Sequence, residues 1–434
     1  MNTSLMRGWT STSEYEKGNL RFPPIKKANG IYLYGYDGKQ YIDGKSQMMN
    51  VSFGHGIQAF RDAAVNQWDQ IAYIPTMDGH ANPSAEAYAN KLLSILPDDY
   101  KQVYCSGSGT SCTEIAIQSA RDYWYIQNKR DKGKIVSIRG SYHGNSAMMS
   151  EVSEYSDNNW AYRLNDFSTY HKVVQPYCYR CPLGLDASTC EEKCTDLLHT
   201  QIQQLNPDKI CAIIIETVQG NGMIELPYKY VKTLKEMADQ FDILLIIDEV
   251  LTGFGRTGYD FSFQKYDILP DIICLSKTIS NGLLPLAATV FHQKISDVLH
   301  DREIQIGSTQ DGNPICTALG SAVIEHFTGY QWSDQVKELG EYFLLNLSDN
   351  LLEYQIIGDI RGSGLLICVE LVEDKVSKKP LEEMRPIHNG LIEHGIFAFI
   401  EEHFVYFVPP YTIDKNTIDY IVSKFKGIVE NYIH

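Results

Sequence analysis

Two short apolar runs in this chain each end at a residue able to do chemistry. Ile243–Ile247 leads into Asp248-Glu249, and Asp271–Leu275 leads into Ser276-Lys277, with the glycine-rich turn Gly253-Phe254-Gly255-Arg256-Thr257-Gly258 between them. If both runs are buried strands, a carboxylate and an amine arrive together at the C-terminal edge of an open α/β sheet, where such sheets bind ligands. The amine of Lys277 can condense with an aldehyde to a Schiff base. The carboxylate of Asp248 can keep a pyridine nitrogen protonated. Together they suit pyridoxal phosphate used as an electron sink.

Ser108-Gly109-Thr110 adds a second element of the same chemistry. The tripeptide precedes a stretch, Glu114–Tyr125, with helical periodicity, so its amides and hydroxyls can meet a phosphate at a helix N-terminus. The elements that would position these groups are visible as alternation. Strand-like runs at Lys134–Ile138, Cys211–Ile215, Ile243–Ile247, Asp271–Leu275 and Leu286–Phe291 are separated by helix-capable stretches such as Pro227–Phe241. That pattern predicts an α/β fold with a mainly parallel sheet covered by helices. After about Pro314 it gives way to a long helical stretch, short strands at Arg361–Leu371 and Val405–Val408, and a C-terminal helix, which predicts a smaller α+β domain.

Composition narrows the function. The 434 residues suffice for two folded regions, and the net charge of −16 argues against general nucleic-acid binding. The N-terminal Met1–Arg7 lacks a basic-then-apolar signal layout, no apolar run approaches a membrane span, and several of the ten cysteines sit in apolar strands. A cytoplasmic, reducing compartment is the expectation. Cys178, Cys181, Cys190 and Cys194 form CxxC and CxxxC pairs that read either as a zinc or iron–sulfur site or as a surface loop, reduced or disulfide-linked. The loop is the preferred reading, and no metal is assigned. His143 has no second histidine at ligand spacing.

From roughly Gly30 to Pro410 the chain resembles the class III pyridoxal-phosphate-dependent aminotransferases, the group of the ornithine, 4-aminobutyrate and diaminopelargonate enzymes. The resemblance rests on an ordered series: the hairpin around Asp37-Gly38, Ser108-Gly109-Thr110, Tyr142-His143-Gly144, Glu216-Thr217-Val218-Gln219-Gly220, Asp248-Glu249-Val250, the Gly253–Gly258 turn, Ser276-Lys277 and Gly307-Ser308-Thr309. It implies a fold-type I transferase with a large cofactor-binding domain at 60–315 and a discontinuous small domain from 1–59 and 316–434. It implies Lys277 as the Schiff-base lysine and catalytic base, and Asp248 as partner of the pyridine nitrogen. Ser108, Gly109 and Thr110 are then expected at the phosphate, Tyr142 and Val250 on opposite faces of the ring, and His143 and Glu216 nearby. Thr309 is expected to reach the phosphate of a neighbouring subunit, so that the active unit is a homodimer.

The departures from the family pattern concern the substrate. Where relatives carry carboxylate-binding arginines, this chain has Tyr406 and Phe399; Asn221 replaces the partner glutamate, Met48-Met49 replace paired channel tryptophans, and Leu251 replaces a glutamine. Either another cation, Arg256 or Arg361, serves a carboxylate, or the reacting amine has no adjacent carboxylate. The second option is preferred, with a terminal amine, amino-ketone or aldehyde on a larger, partly apolar molecule. Transamination between a small-molecule amino donor and a carbonyl acceptor is the expected reaction. The alternatives are a racemase, epimerase, aminomutase or decarboxylase on the same fold, and a non-catalytic cofactor-binding protein.

Overall fold

The computed structural model describes residues 4–17, 22–155 and 168–433, so Met1–Thr3 of the N-terminal segment considered above lie outside it. The chain divides into two compact units, Ile57–Asp334 and the combined segments Met1–Gly56 and Gln335–His434.

The larger unit is built on a seven-stranded sheet. Its spatial order is Tyr100–Ser106, Ala287–His292, Ile272–Leu275, Leu244–Asp248, Ile210–Ile215, Lys134–Ile138, Tyr170–Val173. Ala287–His292 runs antiparallel to both of its neighbours, and the remaining strands run the same way. Every residue of Ile210–Ile215 and Ile272–Leu275 is buried, the signature of strands covered on both faces by helices. The helix Gly109–Ile126 lies over the sheet through Cys112, Ile115, Ala116 and Ala120, and Trp124 Nε1 donates to the Cys211 carbonyl at 2.8 Å. Tyr228–Gln240 buries Tyr230, Val231, Leu234, Met237 and Ala238, one face of a 3.6-residue repeat.

Two strands of this sheet escaped the sequence reading. Tyr100–Ser106 exposes Lys101 and Gln102, and Tyr170–Val173 is only partly buried until its last residue. Both are sheet edges, where one flank is open and a continuous apolar run is not required.

The smaller unit holds two four-stranded sheets. Ile25–Asn29, Tyr32–Gly35 and Gln40–Asp43 form an antiparallel meander, to which Ile396–Phe397 adds in parallel, with Ile396 opposite Ile42 and Phe397 opposite Asp43. Leu33, Tyr41 and Phe397 form a small core there, and the pairing joins the N-terminal segment to the C-terminal one. The second sheet is antiparallel throughout: Ile357–Ser363, Leu366–Leu371, Phe404–Phe407, Phe399–Glu401. The segment expected as one strand over Arg361–Leu371 is therefore a hairpin, and it turns at Gly364, whose φ of +55° favours glycine. The units divide between Asp334 and Gln335 rather than near 315. Helix Pro314–Thr328 is responsible, because it packs on Gln58–Gln70 and Pro83–Leu93, both in the larger unit.

Candidate active site

Because all but one strand of the large sheet run the same way, the residues that follow them collect at one edge. Asp248 is the last residue of its strand, Glu216 follows Ile215, and Lys277 follows Leu275 by two. Asp248 is 4% exposed. Its Oδ1 accepts the Val250 N–H at 3.0 Å, and its Oδ2 lies 2.8 Å from Nδ1 of the buried His143. An ionised carboxylate only accepts, so the imidazole proton sits on Nδ1 and Nε2 is left without a hydrogen-bond partner. The His143 backbone is itself held, its N–H donating to Ser153 Oγ at 2.9 Å and its carbonyl accepting from Thr113 Oγ1 at 2.6 Å.

Glu216 is buried and accepts two amides, Tyr142 N–H at 3.0 Å and Gly220 N–H at 2.9 Å. Burial pushes its pKa up to about 7; His143 opposes that shift and Asp248 adds to it. The Lys277 amine is pushed down from the usual lysine value, mainly by desolvation. Asp248 and Glu216 oppose that shift, and Arg256 reinforces it. Lys277 also has a φ of +48°, a left-handed conformation costing about 1–2 kcal/mol for a residue with a side chain. Such strain concentrates where function fixes the backbone.

Residues 14–429 match the family described as Aminotransferase class-III. The chain belongs to the class III aminotransferases. It is 31% identical over 411 residues to the adenosylmethionine-8-amino-7-oxononanoate aminotransferase of Geobacter sulfurreducens, covering 92% of this chain and 90% of the relative. It is 29% identical to the leucine/methionine racemase of Thermococcus litoralis, covering 93% and 89%. Among solved structures, an amine transaminase from an uncultivated Pseudomonas species in its PLP-bound form superposes with a TM-score of 0.93 at 28% identity, over 99% of each chain.

The cofactor of this class III aminotransferase is pyridoxal phosphate, and the residues present fit it. The orphaned His143 Nε2 and the Asp248 carboxylate lie at the sheet edge that also holds Lys277. At the start of helix Gly109–Ile126, Ser108 forms a reciprocal cap: its hydroxyl accepts the Ser111 N–H at 3.1 Å, and its own N–H donates to Ser111 Oγ at 3.0 Å. The helix therefore begins at Gly109, five residues before the stretch read from periodicity. The Ser108 hydroxyl serves the cap, while Gly109 and Thr110 contribute the first amides of the helix, which have no intrahelical acceptor. A Cβ at Gly109 would stand 3.1 Å from Val250 Cγ1. Glycine thus keeps open the space between this turn and the residue after Asp248-Glu249.

The other expected positions are distributed as follows. Tyr142 packs edge-on to Tyr155 with ring centroids 5.1 Å apart, and Val250 is half-buried. Thr309 is exposed; its carbonyl accepts the Tyr73 hydroxyl at 2.7 Å, and the loop is fixed by Ser308 N–H to Asp311 Oδ2 at 2.8 Å. Met48, Met49, Phe399 and Tyr406 all belong to the smaller unit. Met48 is 59% exposed, Phe399 is half-buried, and Tyr406 is fully buried against it at a centroid distance of 5.6 Å. Arg361, one of the cations considered from sequence, is tied to Asp359 and Glu370 at 2.8 and 2.7 Å.

Cys178, Cys181, Cys190 and Cys194 line one small cavity together with Leu183 and Leu185. All are free thiols, and among the described residues no group of three or more His, Cys, Asp or Glu is arranged to hold a metal. No helix of the described residues is long and apolar enough to cross a membrane.

Sequence reasoning missed two features. Glu249 anchors the turn after Asp248, accepting from Thr252 Oγ1, from Ser262 Oγ at 2.6 Å and from Phe263 N–H at 2.9 Å; the two-residue alternation of a strand would have set its side chain apart from that of Asp248. The other is Lys45, whose burial has no signature in a polar local sequence.

Proposed function

We propose that Lys277 would hold the cofactor through its aldehyde, and that its amine would carry the proton to and from the substrate carbon. A desolvated, lowered-pKa amine suits that task, since a base works best when its pKa approaches the working pH. When bound, the cofactor would supply an electron sink. Asp248, fixed by His143 and the Val250 amide, holds the pyridine nitrogen protonated and keeps that sink deep. Glu216 positions Tyr142 through its backbone amide, and the aromatic ring of Tyr142 and the methyls of Val250 take the two ring faces. Gly109 and Thr110 receive the phosphate, and the partner's Thr309 completes that site in a homodimer. The single observation that supports this reading most is the buried Asp248–His143 pair at the same sheet edge as Lys277.

The reaction is transfer of an amino group from an amine or amino-acid donor to a ketone or aldehyde. With Phe399 and Tyr406 at the positions of the family arginines, and Arg361 already paired twice, the reacting carbon of at least one substrate carries no adjacent carboxylate. The ten free cysteines favour a reducing compartment such as the cytoplasm. The similarity to a leucine/methionine racemase supports a second reading, racemisation on the same cofactor.

Absorption spectra of wild type and Lys277→Ala with added pyridoxal phosphate, titrated with amines, test both readings. Transamination predicts a visible band in wild type that Lys277→Ala lacks and that amines convert to the pyridoxamine spectrum. Inversion of a chiral amine in deuterated water without that conversion would establish the racemase instead. No visible band in wild type would remove the role given to Lys277.

A further inference from the structure

The cysteines of this chain fall into two groups. Cys112, Cys211, Cys274 and Cys368 are fully buried in apolar surroundings, where a thiol is inert. Cys178, Cys181, Cys190 and Cys194 instead belong to one surface segment of the larger unit, with Cys178 exposed and the other three half-buried. Residues 174–192 link the strand Tyr170–Val173 to the helix Lys193–Gln204 and contain neither strand nor helix. Loops of that length without regular structure are uncommon, and most are either functional or disordered. This one is built from turns. Gly184 N–H donates to the Cys181 carbonyl at 2.9 Å, Thr189 N–H to that of Asp186 at 3.1 Å, and Lys193 N–H to that of Cys190 at 3.1 Å.

The start of the loop is tied down. Val174 N–H donates to Gln201 Oε1 and Gln175 Nε2 to Gln219 Oε1, both at 2.8 Å. At its end Glu191 and Glu192 have φ of +48° and +54°. This left-handed pair costs free energy at each position, and it turns the chain into the helix that carries Cys194. All four cysteines thereby line one cavity of about 20 Å³, with Pro182, Leu183 and Leu185 in its wall. That is room for about one water molecule. Desolvation raises the Cys194 pKa, and the charges of Cys178 and then Cys190 raise it further, so both thiols stand close enough to be felt.

We propose that this loop is a thiol–disulfide exchange site, at which Cys178 and Cys194 join when a small-molecule disulfide is present. The Cys178 thiol gives its proton to water, and the thiolate attacks one sulfur of the small disulfide. One small thiolate leaves with its electron pair, and a mixed disulfide remains on Cys178. The Cys194 thiolate then attacks the Cys178 sulfur and expels the second small thiolate. Two protein thiols are oxidised to one disulfide, one small disulfide is reduced to two thiolates, and the released protons return to those thiolates. Cys178 attacks first because it is exposed, whereas the desolvated Cys194 yields its proton less readily. In a reducing compartment such a bridge is transient and follows the thiol–disulfide poise.

The test exposes the cofactor-loaded full-length protein, reduced beforehand, to oxidised glutathione, alkylates the remaining thiols and maps peptides by mass spectrometry. Wild type should yield a Cys178–Cys194 cross-link lighter by two hydrogens. Cys112, Cys211, Cys274 and Cys368 should remain reduced and become alkylated once the protein is denatured. Cys194→Ser should stop with glutathione on Cys178, and Cys178→Ser should lose the cross-link and take up glutathione more slowly. Thermal melting of each variant shows that it is folded. Absence of the cross-link in wild type, a bridge confined to Cys190 and Cys194, or oxidation of the four buried thiols at the same rate overturns the assignment. So does a stoichiometric zinc ion in the purified protein that blocks oxidation until it is chelated, which would make the cluster a metal site.

Discussion

The C-terminal edge of the large sheet and the antiparallel sheet of the smaller unit hold their charges in opposite ways. At the first, each carboxylate has its partners assigned. Asp248 meets His143 and the Val250 amide, Glu216 meets two amides, and Glu249 meets two hydroxyls and an amide. In the second unit, Arg361 is paired twice while Lys45 lies among aromatic rings. The contrast is one of compensation. A buried carboxylate that accepts two or three N–H or O–H groups recovers much of what it loses in leaving water, whereas an ammonium against aromatic faces recovers less.

The sharpest way to break the comparison is at Asp248. Asp248→Asn keeps the shape but removes the charge from the fixed edge, and its single carbonyl oxygen can accept from only one of the Val250 N–H and the His143 Nδ1–H. We expect kcat to fall by about 10²–10³-fold, the usual cost of deleting one preorganised electrostatic group, with the cofactor still bound. Single-turnover kinetics alongside a cofactor-binding isotherm would measure both. A loss of affinity with unchanged kcat would instead make Asp248 a binding group and blur the distinction drawn here.

Arg361 offers the matching test in the smaller unit. Arg361→Met takes the guanidinium away from Glu370, a fully buried carboxylate that also has His403 Nε2 at 3.4 Å. Removing one member of a buried pair typically costs about 3–5 kcal/mol, which denaturant unfolding would register. Lys45→Met should show the reverse, because it removes a buried cation that has no carboxylate partner among the described residues, so unfolding should stay unchanged or shift to higher stability. A comparable loss of stability in both variants would mean that the aromatic contacts hold Lys45 as firmly as the carboxylates hold Arg361.

The two regions also differed in how far the sequence disclosed them. Asp248 and Lys277 stood out because a strand buried on both faces is an uninterrupted apolar run, and the first polar residue after it marks the sheet edge. Gly109 was legible as part of a turn before a helix, although the Ser108–Ser111 cap that sets the helix start depends on a reciprocal pair of short polar side chains outside the periodic stretch. The edge strand Tyr100–Ser106 was not legible, since its exposed flank admits lysine and glutamine. Nor was Lys45. Its surroundings come from Phe22 and Phe399, distant in the chain and adjacent only once Ile396–Phe397 has paired with Gln40–Asp43. In the same way, Arg361 reads as a free cation until the hairpin about Gly364 sets it beside Glu370.

The smallest expected effect concerns the proton held at the fixed edge. Burial raises the Glu216 pKa from 4.5 to about 7. Between those values the native protein keeps a proton on this carboxyl that the unfolded chain releases. Stability contributed by the protonated carboxyl is therefore complete below about pH 4.5 and declines as pH rises through about 7. Glu216→Gln cannot titrate, so its own dependence across that window should be flatter. It gives up one of the two amide acceptors, toward Tyr142 or Gly220, at a cost of about 1 kcal/mol. Melting of the cofactor-free protein between pH 5 and 7.5 should thus show wild type losing a few degrees relative to Glu216→Gln as pH rises. Parallel curves would mean that Glu216 is ionised throughout, with its two amides outweighing its burial. Wild type gaining on the variant would reverse the sign, meaning that folding lowers rather than raises the Glu216 pKa.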